Sequence, residues 1–170
     1  IGTGNLYDRE KVMGQWNIAD ESYEQQFRPP LSNVNGRPRD SVSFEGLVSS
    51  DRKIELLQDA TVGIVNPSGR TANCPGSALE FQAAGTPVVS VAHRGLLDVV
   101  QHNNTGLLGK DRSEIREHII TLLRDEQQRA VMGQAGIEFI ESRFNYQDIC
   151  EQWLTLFGRL TDGESPMQPG

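Results

Sequence analysis

Cysteine is scarce in this chain, which has only Cys74 and Cys150 among its 170 residues. The two lie far apart and show no metal-binding spacing, so a reducing cytoplasm fits this usage best. Histidine is also scarce, with three scattered residues that pair with no carboxylate. The sequence therefore predicts no metal site and favours a cytoplasmic protein.

Long apolar runs and basic blocks are missing too. No apolar run approaches the length of a membrane span, and no secretory signal is visible. The formal net charge is -7 without a Lys/Arg-rich block, which argues against nucleic acid or an anionic membrane as the main partner. The content of 36% hydrophobic and 23% charged residues is typical of a globular domain with a proper core.

Short apolar runs alternate with helical patterns through residue 109. The predicted strands cover 41–48, 62–66, 88–91 and 105–108, and the predicted helices between them cover 51–59, 77–84 and 96–101. Such alternation predicts an α/β fold in which a parallel sheet is covered by helices on both faces. In such folds, ligands bind beyond the carboxyl ends of the strands.

A helical C-terminal extension is predicted after Gly109. Its three amphipathic helices cover 113–124, 126–142 and 146–160, followed by a disordered tail at 161–170. The third helix has an apolar stripe that we expect to face inward, made by Ile149, Trp153, Leu156 and Phe157.

The N-terminus begins abruptly with Ile1-Gly2-Thr3-Gly4-Asn5 and no methionine. This looks like the last residue of a strand followed by its turn. We therefore expect a fragment of a longer protein, with one domain over 1–160 whose first strand–helix unit is missing. Gly2-Thr3-Gly4 is either a turn that approaches a phosphate or a plain tight turn, because the third glycine of the dinucleotide fingerprint is absent.

The centre of the sequence is the stretch 73–89, which reads as a loop, a helix, a stop at Gly85 and a buried strand. Pro75 and Gly76 mark the helix start, with proline favoured at the first helical position. A glycine-bearing loop that leads into a helix aims N–H groups and a positive dipole end outward, which suits an anion. Ser68 and Ser77 either hold phosphate oxygens there or act as ordinary caps.

Glu80 follows about one turn into this helix, on the face shared with Gly76. A carboxylate accepts hydrogen bonds from sugar hydroxyls, so Glu80 either holds a ribose or hexose or is a solvated helix residue. His93 and Arg94, in the loop after the next strand, either touch an anionic ligand or belong to the surface. The chain lacks both the Gly-x-Ser-x-Gly elbow and the Walker loop, which argues against a serine hydrolase and a P-loop enzyme.

Taken together, these features resemble the C-terminal, donor-binding domain of group 1, retaining, GT-B glycosyltransferases. The matching pieces are, in chain order, Gly2-Thr3-Gly4, residues 42–48, 56–60, 62–68, 78–89, 95–100 and 105–108, and the closing helix that begins with Phe144-Asn145-Tyr146. The resemblance covers nearly the whole chain, and it implies a Rossmann-like domain that forms the C-terminal half of a GT-B fold.

The resemblance also implies a site for a nucleotide-diphosphate sugar, which is the substrate, with no metal and no cofactor. The implied donor-binding residues are Gly4, Leu47, Val48, Ser68, Pro75, Gly76, Ser77 and Glu80. Within this set, Glu80 is the second glutamate of a Glu-x7-Glu motif and accepts from the donor ribose. Leu47 and Val48 border the base, and the helix start faces the diphosphate and sugar.

Two departures from the family pattern affect the expected activity. Ala72 stands where the first glutamate of the motif belongs, and that glutamate normally contacts the transferred sugar. The basic pair that grips the diphosphate and the acceptor-binding N-terminal domain are expected to lie outside this chain. We therefore assign no catalytic residue within the chain and expect an inactive fragment.

Three functions remain open at this point. The first is the donor half of a hexosyltransferase of carbohydrate biosynthesis, whose missing domain binds an acceptor glycan, lipid or small molecule. The full-length enzyme is then expected in the cytoplasm, with peripheral association with the inner membrane as a further possibility. The second is a non-catalytic nucleotide-sugar or phosphate-binding module of the same fold. The third is a scaffold or interaction domain.

Overall fold

The structure is a computed structural model that describes residues 33–35, 39–43, 45, 48–66 and 75–161. The chain divides into two compact units, Ile1–Lys53 and Ile54–Gly170. The described elements are α1 (Ser50–Asp59), β1 (Gly63–Val65), α2 (Gly76–Ala83), β2 (Val88–Val91), α3 (Leu96–Val99), β3 (Gly106–Gly109), α4 (Arg112–Arg124), α5 (Glu126–Arg143) and α6 (Tyr146–Thr161).

The described residues of 41–48 form no strand, so the strand predicted there is wrong for that part of the first unit. The Val42 N–H donates to the Arg39 carbonyl at 2.8 Å, which closes a turn, and Ser43 Oγ donates to Glu45 at 2.8 Å. The Val42 N–H is thus satisfied within the turn and does not pair with a neighbouring strand. The next element, α1, begins at Ser50, one residue before the predicted start, and Ser49 Oγ accepts from Arg52 N at 3.2 Å.

The second unit contains a parallel sheet of three strands in the order β1-β2-β3. Ile64 pairs with Val89, and Val89 pairs with Leu107, so β2 lies in the middle. Val88, Val89 and Ser90 are all fully buried. A run of adjacent buried residues is typical of a parallel strand that is covered on both faces. The prediction of a parallel α/β sheet is confirmed.

Two apolar clusters cover the two faces of this sheet. The first joins strand residues to α2 and α3 and consists of Val65, Ala78, Val88, Leu96, Val99, Val100 and Leu108. The second joins strand residues to α4 and α5 and consists of Val89, Leu107, Ile115, Leu122 and Met132. Successive residues of a strand point to opposite faces, which is why Val88 and Val89 belong to different clusters. Each cluster therefore fixes helices against one side of the same strand.

Helices α2 and α5 approach each other closely through glycines. A Cβ on Gly133 of α5 would overlap the carbonyl oxygen of Gly85, and a Cβ on Gly136 would lie 3.4 Å from Gln82 Cα. Gly85 follows α2 with a φ of +77°, a left-handed conformation that only glycine adopts at no steric cost. Gly85 therefore ends α2, as predicted, and its carbonyl lies against α5.

The C-terminal helices have the predicted bounds to within one residue. Asp111 caps α4 by accepting from Ser113 N at 2.8 Å, and Asp125 caps α5 by accepting from Gln128 N at 2.8 Å. Thr161, predicted as the first tail residue, is the last residue of α6, and 162–170 lie outside the described residues. No helix in the described part of the chain is long and apolar enough to cross a membrane.

The inward face predicted for α6 is wrong within the described residues. No residue of α6 is buried there, and Trp153 and Phe157 are each 54% exposed. Their rings contact one another, with centroids 5.5 Å apart. Helical periodicity shows which side of a helix is apolar, and it does not show whether another element covers that side.

The surroundings of two helix glycines, Gly133 in α5 and Gly158 in α6, predict opposite effects of substitution by alanine. Gly133→Ala should destabilise the domain by about 1–3 kcal/mol, because the new methyl overlaps a backbone oxygen that cannot move freely. Gly158→Ala should stabilise it by up to about 1 kcal/mol, because a Cβ there meets no atom within 4 Å and alanine favours the helix. Urea denaturation measures both effects, and equal stabilities for the two variants would contradict the packing described here.

Candidate functional site

The candidate site lies at the carboxyl edge of the parallel sheet. There β1 ends at Val65 and β2 ends at Val91. Parallel strands end at one common edge, so the segments that lead from them into α2 and α3 begin on the same side of the sheet. The helices α2 and α3 start at this edge with Gly76 and Leu96.

The start of α2 is open and has no side-chain cap. Pro75 occupies the N-cap position, directly before the first helical residue, and its ring offers no acceptor for a capping hydrogen bond. The N–H groups of Gly76 and Ser77 fall in the first turn, where a helix supplies no internal acceptor. Gly76 is exposed, and a Cβ placed on it would meet no atom of a described residue within 4 Å. This arrangement suits an anion that approaches the backbone.

The exposed side of α2 also carries Glu80. The buried side of the helix is formed by Ala78 and Gln82, which leaves Gly76, Ser77 and Glu80 facing outward. Residues four apart lie on the same face of a helix, about 6 Å apart along its axis. The structure therefore brings three of the predicted site residues together on one exposed surface.

The loop after β2 places a cation at the same edge. His93 and Arg94 are both exposed, which fits either of the roles predicted for them, contact with an anionic ligand or a place on the surface. The backbone turns sharply here, with His93 N donating to the Val91 carbonyl at 2.9 Å and Leu97 N donating to the Arg94 carbonyl at 2.9 Å. Arg94 has a φ of +49°, which is uncommon for a non-glycine residue. The Arg94 side chain therefore starts from a tight, hydrogen-bonded turn of the backbone.

Several predicted site residues are not described. Gly4, Leu47 and Ser68 lie outside the described residues, as do Ala72 and the rest of 67–74. Val48 is described and is half-buried in the first unit. The roles given to these residues therefore stay predictions.

Sequence analysis does not identify Gln82, a fully buried polar side chain of α2. Gln82 has no exposed surface, and its Nε2 donates to the carbonyls of Ala78 at 3.0 Å and Val99 at 2.8 Å. The sequence offered one signal: Gln82 falls four residues after Ala78, on the apolar side of α2. Because glutamine is usually exposed, that position alone does not predict a buried hydrogen-bond network.

The other two histidines, His102 and His118, differ in their exposure to solvent. His102 is exposed, although its Nδ1 accepts from Leu108 N at 2.9 Å, and its ring lies 5.8 Å from that of the half-buried His118. Among the described residues, no three His, Cys, Asp or Glu side chains are arranged to hold a metal ion.

Comparisons with known proteins point to one family. Residues 21–139 match the model of the family described as glycosyl transferases group 1. A GDP-mannose-dependent alpha-(1-6)-phosphatidylinositol monomannoside mannosyltransferase of Mycobacterium tuberculosis is 34% identical over 130 residues, which cover 72% of this chain and 32% of the relative. The chain spans between about a fifth and a third of the length of the curated relatives it matches.

Solved structures show the same fold. Sucrose-phosphate synthase of Thermosynechococcus elongatus superposes with a TM-score of 0.66 and 25% identity over 84% of this chain and 34% of that one. HepE of Anabaena, solved in complex with UDP, has a TM-score of 0.66 and 20% identity over 81% of this chain and 36% of that one. Since the family model matches well over half of its residues, this chain belongs to the group 1 glycosyltransferases.

Proposed function

We propose that this chain is the donor-binding domain of a retaining glycosyltransferase that moves a hexose from a nucleoside diphosphate sugar to an acceptor. One observation carries the proposal: the start of α2 is open at Gly76, and Glu80 lies on the same exposed face of that helix. The retaining course is assigned from the resemblance to the family. The acceptor, a glycan, lipid or small molecule, is assigned to a part of the enzyme outside this chain.

The diphosphate is placed at the start of α2. The N–H groups of Gly76 and Ser77 donate to its oxygens, and the positive end of the helix dipole favours its negative charge. The exposed guanidinium of Arg94 adds a full positive charge at the same edge of the sheet. In this assignment, protein groups and not a metal ion stabilise the charge that develops on the leaving diphosphate.

The ribose of the donor is placed on Glu80. Its Cα is about 6 Å along the helix axis from that of Gly76, which suits the step from the phosphates to the ribose hydroxyls of one nucleotide. An ionised carboxylate accepts two hydroxyl hydrogen bonds at once and binds them more strongly than a neutral acceptor. UDP and GDP are the nucleotides to test. One similar protein is a GDP-mannose-dependent mannosyltransferase, and another, HepE, was solved in complex with UDP-glucose.

A non-catalytic nucleotide-sugar module of the same fold is the second candidate, and Ala72 favours it. A methyl group cannot hydrogen-bond to the hydroxyls of a transferred sugar as a glutamate does. Transfer of radiolabelled hexose from UDP-glucose or GDP-mannose by the full-length protein separates the two candidates. Release of labelled product supports the transferase, and nucleotide binding without any turnover of either donor supports the module.

The role of Glu80 predicts a specific loss of affinity. Glu80→Ala should weaken binding of UDP or GDP by about 1–3 kcal/mol, because the ribose hydroxyls lose a charged acceptor. Isothermal titration calorimetry measures the change, and Glu117→Ala, which removes an exposed glutamate from α4, serves as the control. An affinity that Glu80→Ala leaves at the wild-type value removes Glu80 from the site.

The helix start predicts opposite changes in stability and in binding for one substitution. Ser77→Asp places a carboxylate in the first turn of α2, where the helix dipole stabilises it by about 0.3–1 kcal/mol. The same charge repels a diphosphate and should weaken UDP or GDP binding by at least about 1 kcal/mol, with less effect at high salt. Ser77→Asn is the neutral control. Unchanged affinity for the aspartate variant would show that the phosphates bind elsewhere.

A further inference from the structure

We infer that Gln82 is a positioning residue that holds the loop 92–95, and with it Arg94, in place against the start of α2. This inference rests on the function proposed above and goes beyond it, because Gln82 touches no donor atom in that proposal. The carboxamide of Gln82 contacts main-chain atoms of two helices that both start at the carboxyl edge of the sheet.

The orientation of the Gln82 side chain is fixed by its surroundings. Both acceptors of its Nε2 are backbone carbonyls, those of Ala78 and Val99, so an amide turned the other way would set oxygen against oxygen. The remaining atom, Oε1, is buried and has no hydrogen-bond partner among the described residues. A buried unpaired oxygen is destabilising, so stability alone does not favour glutamine over an apolar side chain of similar length.

Helix α3 depends on this contact more than a long helix would. It has only four residues, and such a helix is marginal in water without tertiary packing. Its last carbonyls have no partner within the helix, and Gln82 supplies one to Val99. Leu96 and Val99 anchor the same helix in the core beneath α2. The position of α3 is therefore set from α2, by one hydrogen bond and two apolar side chains.

The loop that leads into α3 carries Arg94. The Arg94 carbonyl accepts from Leu97 N, and the His93 carbonyl accepts from Leu96 N at 3.3 Å, so the loop is bonded directly to the first turn of α3. A shift of α3 therefore moves the attachment of Arg94. Because only the phosphates of a nucleotide are anionic, the effect of that shift should appear in phosphate binding and not in nucleoside binding.

The test compares UDP and GDP with uridine and guanosine, using calorimetry on the whole chain. Gln82→Met keeps the length of the side chain and removes its donor. We expect it to lower affinity for the nucleoside diphosphate about tenfold, the value of one hydrogen bond to a charged group. Affinity for the matching nucleoside should change less than twofold, which is within the scatter expected of a distant surface effect. Arg94→Ala should also lower the ratio of nucleoside diphosphate affinity to nucleoside affinity.

Thr86→Val is the matched structural control. Thr86 is buried, and its Oγ1 donates to the Leu57 carbonyl at 2.6 Å, so this variant also loses a buried hydrogen bond close to the C-terminal end of α2. The loss of this bond should lower the melting temperature. Because the hydrogen bonds described for Thr86 do not reach α3, the ratio of diphosphate affinity to nucleoside affinity should stay unchanged.

The outcomes separate this inference from the proposed function. If the wild-type chain binds neither UDP nor GDP, the proposed function is wrong and the inference fails with it. If the wild-type chain binds and Gln82→Met binds with the same ratio, the inference alone is wrong. If Gln82→Met does not fold, Arg94→Ala decides, because Arg94 is exposed and its loss should not affect folding. An unchanged ratio for Arg94→Ala then overturns the inference.

Discussion

Burial of β2 on both of its faces is the constraint on which the rest of the second unit depends. Val88 belongs to the cluster that holds α2 and α3, and the adjacent Val89 belongs to the cluster that holds α4 and α5. Ser90 Oγ adds a buried hydrogen bond to the Val65 carbonyl and so joins the ends of β1 and β2. The loop with Arg94 follows the end of β2 directly, and α2 is the next described helix after β1.

The glycines next to this core explain how the helices come close enough to be held. Gly85 adopts a left-handed conformation and directs its carbonyl at α5, where Gly133 leaves room for it because it has no Cβ. Gly106 has a similar role in the sheet, since a Cβ there would overlap the Val88 carbonyl oxygen. The fold thus depends on missing side chains at a few backbone contacts as well as on buried apolar surface.

Much of this architecture can be predicted from local sequence signals. Gly85 and the valines that follow it specify a helix end and a buried strand without any tertiary information. Asp111 and Asp125 are capping residues whose type marks the starts of α4 and α5. The strand predicted at 41–48 is wrong for the described residues of that stretch, because its alternation is short and the Val42 N–H bonds back to the Arg39 carbonyl in a turn. The inward face predicted for α6 is wrong for the described residues, because an apolar stripe does not show which element, if any, packs against it.

The candidate site was only partly predictable. Gly76, Ser77 and Glu80 could be placed together because helical spacing alone puts them on one face. Gln82 could not be found in this way, because its partner Val99 is distant in sequence and the hydrogen bond depends on how α2 and α3 pack. The approach of Arg94 to this edge depends on the same packing and on a left-handed turn that arginine rarely adopts.

The most direct measurement of the central claim is a crystal structure of this chain with UDP or GDP. The account predicts phosphate oxygens within roughly 3 Å of the Gly76 and Ser77 nitrogens, and ribose hydroxyls within hydrogen-bond distance of the Glu80 carboxylate. A nucleotide bound away from the start of α2, with Glu80 facing only solvent, would contradict it.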